Sequence, residues 1–201
     1  VKWRMLPSIE LEGLAKCKAL LLGAGTLGCN IARHLLMWGV TNITLVDRGH
    51  VSYSNPVRQT LFELSDCLQE GEARVKSIAA ARTLKRILPT CNANGVSMTI
   101  RMPGHRIDPP AEAAARADVE KLEQLIRDHD VVFLLTDSRE SRWLPTMLCA
   151  AMDKPVINTA LGFDSYVVLR HGLTSQGSRR VGCYFCNDVV APMDSLTART
   201  L

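Results

Sequence analysis

An apolar run from Cys17 to Leu22 ends in Gly23-Ala24-Gly25-Thr26-Leu27-Gly28, and helical spacing begins immediately after it. Few folds accept that order. A short apolar run feeding a glycine turn reads as a parallel strand covered on both faces. Leu27, Ile31, Leu35 and Val40 then recur at helical intervals, with Gly39 near the end where a left-handed cap is cheap. Asn42 to Val46 follows as a second strand closed by Asp47. Strand, glycine turn, helix and strand make one right-handed βαβ unit.

The remaining chain continues the alternation. Val51 to Gln59 contains Ser, Asn and Pro and reads as a loop. The composition predicts a helix over Ala73 to Leu88, stopped by Pro89, and Val96 to Met102 alternates as a strand does. Pro103 to Pro110 is turn-rich, and a charged helix is expected over about Ala117 to Asp128. Val131 to Leu135 is another apolar strand, Ser138 to Ala151 a helix, Val156 to Asn158 a short strand and Tyr166 to Arg170 another. Gly172 to Gly182 reads as a flexible loop, and no regular element is expected over Cys183 to Leu201. The fold class is α/β: a Rossmann-like, doubly wound, mostly parallel sheet.

Composition removes several functions. In 201 residues, 47% apolar and 22% charged, there is neither the bias of a disordered chain nor an apolar stretch long enough to span a membrane. The net charge of +4 is spread rather than clustered, so nucleic acid is not an expected partner. Seven cysteines at irregular spacing argue against a secreted disulfide framework, and a cytosolic chain is expected, a fragment of a longer one since it begins at Val1.

Gly23, Gly25 and Gly28 stand between a strand and a helix, and Asp47 ends the next strand. Such glycines let backbone N–H groups approach phosphate, the helix end offers partial positive charge, and the acid can accept ribose hydroxyls. The alternative is a turn needed only for packing, with Asp47 a solvated strand end. Charge decides which nucleotide is bound. A pyrophosphate is largely satisfied by the helix end, whereas a triphosphate needs cations and Mg²⁺. Asn55, Arg58 and Gln59 lie in a loop after a strand, and Lys76 lies near a helix start, where side chains face the carboxyl ends of strands. Asp137 follows the Val131 strand, where it could hold Mg²⁺ or simply cap the next helix.

The ordered segments GAGTLGC, VDRGHVSYSNPVRQ, LLTDSRESRWLP, NTALGFDSY and GCYFCNDVVAP resemble the adenylation domain of ubiquitin-like-modifier-activating (E1-like) enzymes, most narrowly those activating the autophagy modifiers. The resemblance covers nearly the whole chain, from Lys2 to Leu201. The broader motifs are shared with the molybdopterin and thiamine sulfur-carrier adenylyltransferases, so a ThiF/MoeB-like adenylation fold and that activity are the alternative function. The resemblance implies an N-terminal arm over 1–14 and an ATP-binding domain over 15–201, ending before the thioester cysteine. It places Gly23, Gly25 and Gly28 against the nucleotide, Asp47 on the ribose, Asn55, Arg58, Gln59 and Lys76 on the phosphates and Asp137 on Mg²⁺. Arg4 would be an arginine finger from the second subunit of a homodimer, or else an exposed arm residue. The implied partners are autophagy ubiquitin-like modifiers and conjugating (E2-like) enzymes.

Two departures accompany it. The family lysine usually follows a proline, whereas Ala73-Arg74-Val75-Lys76 does not, so Arg74 could share or take the role of Lys76. The acceptor cysteine is absent, and the chain alone is expected to bind MgATP weakly and form no thioester. Cys183 and Cys186 make a C-x-x-C that reads as half a Zn²⁺ site in the full-length parent, a redox pair or a buried pair. A redox pair would want a helix starting at Cys183, which the neighbouring residues do not suggest. Cys29 is the best of the remaining thiols, with packing its commoner fate. Trp143 reads as core or dimer packing, and His34 and His129 as satisfied at helix surfaces.

Overall fold

The computed structural model describes residues 4, 6–162, 164–173 and 182–188. Trp3, most of the Gly172 to Gly182 loop and the segment matching DSLTARTL lie outside the described residues. Six strands, β1 (Lys18–Leu22), β2 (Asn42–Val46), β3 (Asn92–Val96), β4 (Val131–Leu134), β5 (Val156–Leu161) and β6 (Tyr166–His171), form one sheet in the order β3-β2-β1-β4-β5-β6. All neighbours are parallel except β5 and β6. The helices are α1 (Leu11–Lys16), α2 (Thr26–Trp38), α3 (Leu64–Cys67), α4 (Lys76–Ile87), α5 (Glu112–Asp128), α6 (Glu140–Ala151) and α7 (Tyr184–Asn187).

The apolar strands are apolar because both faces are covered. Ala19 and Leu21 of β1 pack into a cluster with Cys29 and Ala32 of α2 and with Ala79, Ala80 and Leu84 of α4. Leu20 and Leu22 point the other way, into a cluster with Leu122 and Ile126 of α5 and Cys149 of α6. The two-residue period of a strand therefore serves two cores. Between β1 and β4 the strand order reverses, which opens a crevice at their carboxyl ends. α2 ends as expected, with Gly39 in the left-handed region at φ 95°.

Several boundaries differ from expectation. The third strand is Asn92–Val96, not Val96 to Met102. Asn-Ala-Asn-Gly has little intrinsic strand preference, but it pairs residue for residue with β2 and lies hard against α4. A Cβ at Gly95 would sit 2.4 Å from the Ser77 carbonyl oxygen, so the approach admits only glycine. The alternation over 96–102 is real but serves a wall: Met98, Ile100 and Met102 line the crevice. The helix expected from Ala73 is broken. A 3₁₀ turn (Gly71–Arg74) and extended Val75 precede α4. Val51 N–H donates to Arg74 O, and Lys76 N–H donates to Gly49 O, which holds that segment as a ladder beside the loop after β2. α5 begins at Glu112, five residues early, α6 two residues late at Glu140, and β5 runs on to Leu161. α7 is a short helix capped by Cys183, where none was expected.

His129 is not at a helix surface. It is buried, its Nδ1–H donates to Leu125 O at 2.6 Å, and its Nε2 accepts from Thr44 Oγ1 at 2.8 Å. His34 is exposed, with Nδ1 bonded to Asn30 O. His171 at the end of β6 is 2% exposed, and neither ring nitrogen has a partner among the described residues. Burial lowers both His129 and His171 below their ordinary 6.5. The folded state thus binds fewer protons than the unfolded chain just below that pH. Their contribution to stability is complete above 6.5 and is lost as pH falls through the lowered folded values. The urea midpoint is expected to fall between about pH 7 and pH 5, with a shallower fall in His171→Leu. A midpoint flat over that interval contradicts this.

Candidate nucleotide site

A cleft of about 690 Å³ opens at the carboxyl ends of β1, β2 and β4. Gly23, Gly25, Asp47, Asn55, Arg58, Gln59, Lys76 and Asp137 all line it. Residues distant in sequence converge there because each follows a parallel strand or begins the next helix. Gly23 turns the chain at φ 117° and donates its N–H to Val46 O at 2.9 Å. At Gly25, the residue before α2, an added Cβ would meet nothing within 4 Å, so the backbone faces open cleft. α2 has 13 residues, no side-chain cap and no acid in its first turn. Its N-terminal N–H groups are therefore available to an anion.

Gly28 is a correction. It is buried and not on the cleft wall, and a Cβ there would lie 2.1 Å from the Gly23 carbonyl oxygen. Its missing side chain lets α2 close onto the turn, so the requirement for glycine there is one of packing. Arg4 is exposed and does not line the cleft.

Asp47 is held on both oxygens: Ala24 N–H donates to Oδ2 at 2.9 Å and Gly49 N–H to Oδ1 at 2.8 Å. That pins the glycine turn to the end of β2 and leaves each oxygen further acceptor capacity. Asn55 accepts from Ser52 N–H, and its carbonyl takes the N–H groups of Arg58 and Gln59, so one residue shapes the loop that carries both. Arg58 reaches Thr26 Oγ1 at 3.4 Å. Neither Arg58 nor Lys76 enters an ion pair among the described residues. Arg74, the alternative to Lys76, turns away and donates Nε to Val51 O at 2.9 Å. Asp137 is exposed and is not a helix cap, since Arg139 precedes α6. Gln59 Oε1 and Thr136 Oγ1 are buried on the wall with no partner among the described residues. Buried polar atoms left unpaired fit a polar occupant.

Sequence reasoning missed part of the wall. Met98 and Ile100, on either side of Thr99, supply an apolar side suited to a base, and their signal is the alternation after β3. Arg142, on α6, also lines the cleft.

The thiols divide by burial. Burial pushes Cys29 up to about 11 and Cys149 up to about 12, and Cys29 Sγ donates to Ala24 O, so neither is a nucleophile near neutral pH. Cys183 and Cys186 are 3.8 Å apart at Sγ, far beyond a disulfide. Two thiolates on one tetrahedral zinc at about 2.3 Å stand about 3.8 Å apart, so the spacing fits shared zinc ligation, while α7, with Cys183 at its N-cap, also supplies the helix start that a redox pair requires. No cluster of three or more metal-ligating side chains occurs among the described residues. Trp143 is buried and donates Nε1–H to Asp188 at 2.9 Å.

A glycine turn at the switch point of a mostly parallel sheet, facing Arg58, Lys76 and Asp137, defines a Rossmann-like α/β protein with a cleft at the carboxyl ends of its strands. The chain belongs to the ThiF family, whose model matches residues 1–200. It is 53% identical to the ubiquitin-like modifier-activating enzyme atg7 of Dictyostelium discoideum, over the whole chain and 30% of that protein. It is 58% identical to ATG7 of Eremothecium gossypii (all of this chain, 31% of the relative) and 50% identical to mouse ATG7 (99% and 32%). The chain thus spans about a third of the length of these relatives. Among solved structures it is similar to Escherichia coli MccB with AMPCPP and MccA (TM-score 0.67, 20% identity, 92% of this chain and 46% of that one). MccB with ATP gives TM-score 0.65 at 21% identity, covering 89% and 46%. These likenesses show the fold. No helix among the described residues is long and apolar enough to cross a membrane.

Proposed function

We propose that this chain is the adenylation domain of an enzyme that activates autophagy ubiquitin-like modifiers. The observation carrying the reading is the convergence of Arg58, Lys76 and Asp137 beside the uncapped N-terminus of α2. That charge pattern suits MgATP better than a dinucleotide, whose pyrophosphate the helix end alone would satisfy. Identity of 53–58% to ATG7 relatives over the whole of this chain supports the modifier class over the sulfur-carrier alternative.

In this reading the modifier's terminal glycine carboxylate attacks the α-phosphorus of ATP. The bond from that carboxylate oxygen to phosphorus forms as the α–β bridging bond breaks, and pyrophosphate leaves. The N–H groups of α2 and the Arg58 and Lys76 cations stabilise charge on the α-phosphate and the departing group. Asp47 orients the ribose, Asn55 and Gln59 hold phosphate oxygens, and the Met98–Ile100 wall takes the base. Mg²⁺ held by Asp137 supplies neutralisation of phosphate charge when bound. The acyl-adenylate then passes to a cysteine outside this chain as a thioester. Cys183 and Cys186 donate two ligands to a structural zinc in the parent. The assembly is a cytosolic homodimer that hands modifiers to E2-like enzymes, with Arg4 reaching the partner subunit's triphosphate.

The test is ATP–pyrophosphate exchange by the full-length protein, driven by autophagy modifiers or by a sulfur-carrier protein. Exchange only with the former supports the proposal. Exchange only with the latter moves the chain to the alternative class.

A further inference from the structure

Arg142 is 4% exposed and yet lies on the cleft wall. It joins none of the ion pairs among the described residues. A guanidinium removed from water needs acceptors in place of a counter-ion. It finds them on separate elements: Nη1 donates to Asn158 Oδ1 and, at 2.9 Å, to Thr159 O on β5, and Nη2 donates to Thr136 O just past β4. The Tyr184 ring of α7 lies 6.0 Å from the guanidinium carbon. Asp188 fastens that helix to α6 by accepting from Arg139 and from Trp143 Nε1.

Thr136 is the residue before Asp137. The Asp137 carboxylate makes no hydrogen bond or ion pair among the described residues, so its place is set by the backbone that carries it. That backbone is tied at Leu135, whose N–H reaches Leu22 O at 2.9 Å, and again at Thr136 through Arg142. We propose that Arg142 is the positioning residue that holds Asp137 at the magnesium-binding edge of the cleft, by fixing the Thr136 carbonyl to β5. The inference rests on the MgATP reading above. Arg142 acts through Asp137: three of its five N–H donors are committed to protein acceptors on β5 and after β4. Lysine cannot replace it, because a point charge does not reach three acceptors at fixed angles.

The experiment uses the full-length protein with Arg142→Lys and Arg142→Gln. Modifier-dependent ATP–pyrophosphate exchange is titrated with free Mg²⁺. Both variants are expected to need about 10–100-fold more Mg²⁺ for half-maximal rate and to lose kcat, while KM for ATP at saturating Mg²⁺ stays within about threefold. Independently of activity, the rise in melting temperature with ATP and EDTA is retained and the extra rise given by Mg²⁺ is lost. An unchanged Mg²⁺ titration in a folded variant overturns the proposal, whether or not stability falls. So does a KM increase for ATP that is the same at limiting and at saturating Mg²⁺, which marks a direct phosphate contact. If the arginine variants do not fold, Asn158→Ala removes one acceptor and must shift the Mg²⁺ requirement the same way; a normal titration there overturns it. Absence of exchange in the wild type would defeat the functional reading alone, since the thermal measurement still decides the role of Arg142.

Discussion

Gly28→Ala is expected to destabilise the fold by about 3 kcal/mol and to abolish the nucleotide-induced rise in melting temperature. Alanine is the better helix former by about 1 kcal/mol, so propensity predicts the opposite sign. Sterics win because the new methyl would sit 2.1 Å from the Gly23 carbonyl oxygen and 2.9 Å from its carbon. Those are backbone atoms and cannot rotate aside. α2 must lift from the turn, carrying its N-terminal N–H groups away from the cleft. Gly25→Ala is the contrasting control: its Cβ meets nothing within 4 Å, so the fold should stay within about 0.5 kcal/mol of wild type while the methyl enters the nucleotide's space. Urea midpoints and thermal shifts of the two variants separate packing from contact. Equal stability of the two variants would refute the assignment of Gly28.

Lys76→Ala is expected to lower ATP–pyrophosphate exchange by about 10²–10³-fold, equivalent to about 2.7–4 kcal/mol of transition-state stabilisation. Stability should not fall with it. Lys76 is the first residue of α4, where a cation opposes the helix dipole by about 0.3–1 kcal/mol, so its removal is neutral or stabilising. A residue kept where it costs stability points to a use elsewhere. Arg58→Ala should act in the same range, and the double variant should lose less than the product of the two, because both serve one charge. Arg74→Ala, which removes a bond to Val51 O, should affect stability more than exchange. Exchange in Lys76→Ala within a factor of about three of wild type would remove the lysine from the phosphate site.

Much of the architecture was legible in the residues. The β1–α2–β2 unit follows from an apolar run, a glycine turn and helical spacing, and β2 and the Gly39 cap fall where that reading puts them. Eight chosen residues meet in one cleft because position after a parallel strand already implies the crevice end of the sheet. The failures share a cause. β3 escapes the residue pattern because Asn92 to Gly95 has no strand signature of its own, and only its pairing with β2 makes it one. The start of α4 escapes it too, because nothing local reveals the ladder between 49–51 and 74–76. The α7 helix and the burial of His129 likewise depend on partners far away in the chain.

Periodicity and turn chemistry alone determined that this polypeptide makes a parallel sheet with an anion-ready turn, because those signals act over one or two helical turns of chain. Tertiary structure decided which cations face the cleft, that Gly28 packs against the Gly23 carbonyl, and that Arg142 joins β4, β5 and α7. Each of those outcomes depends on atoms contributed by elements dozens of residues apart, whose approach only the assembled sheet and helices specify.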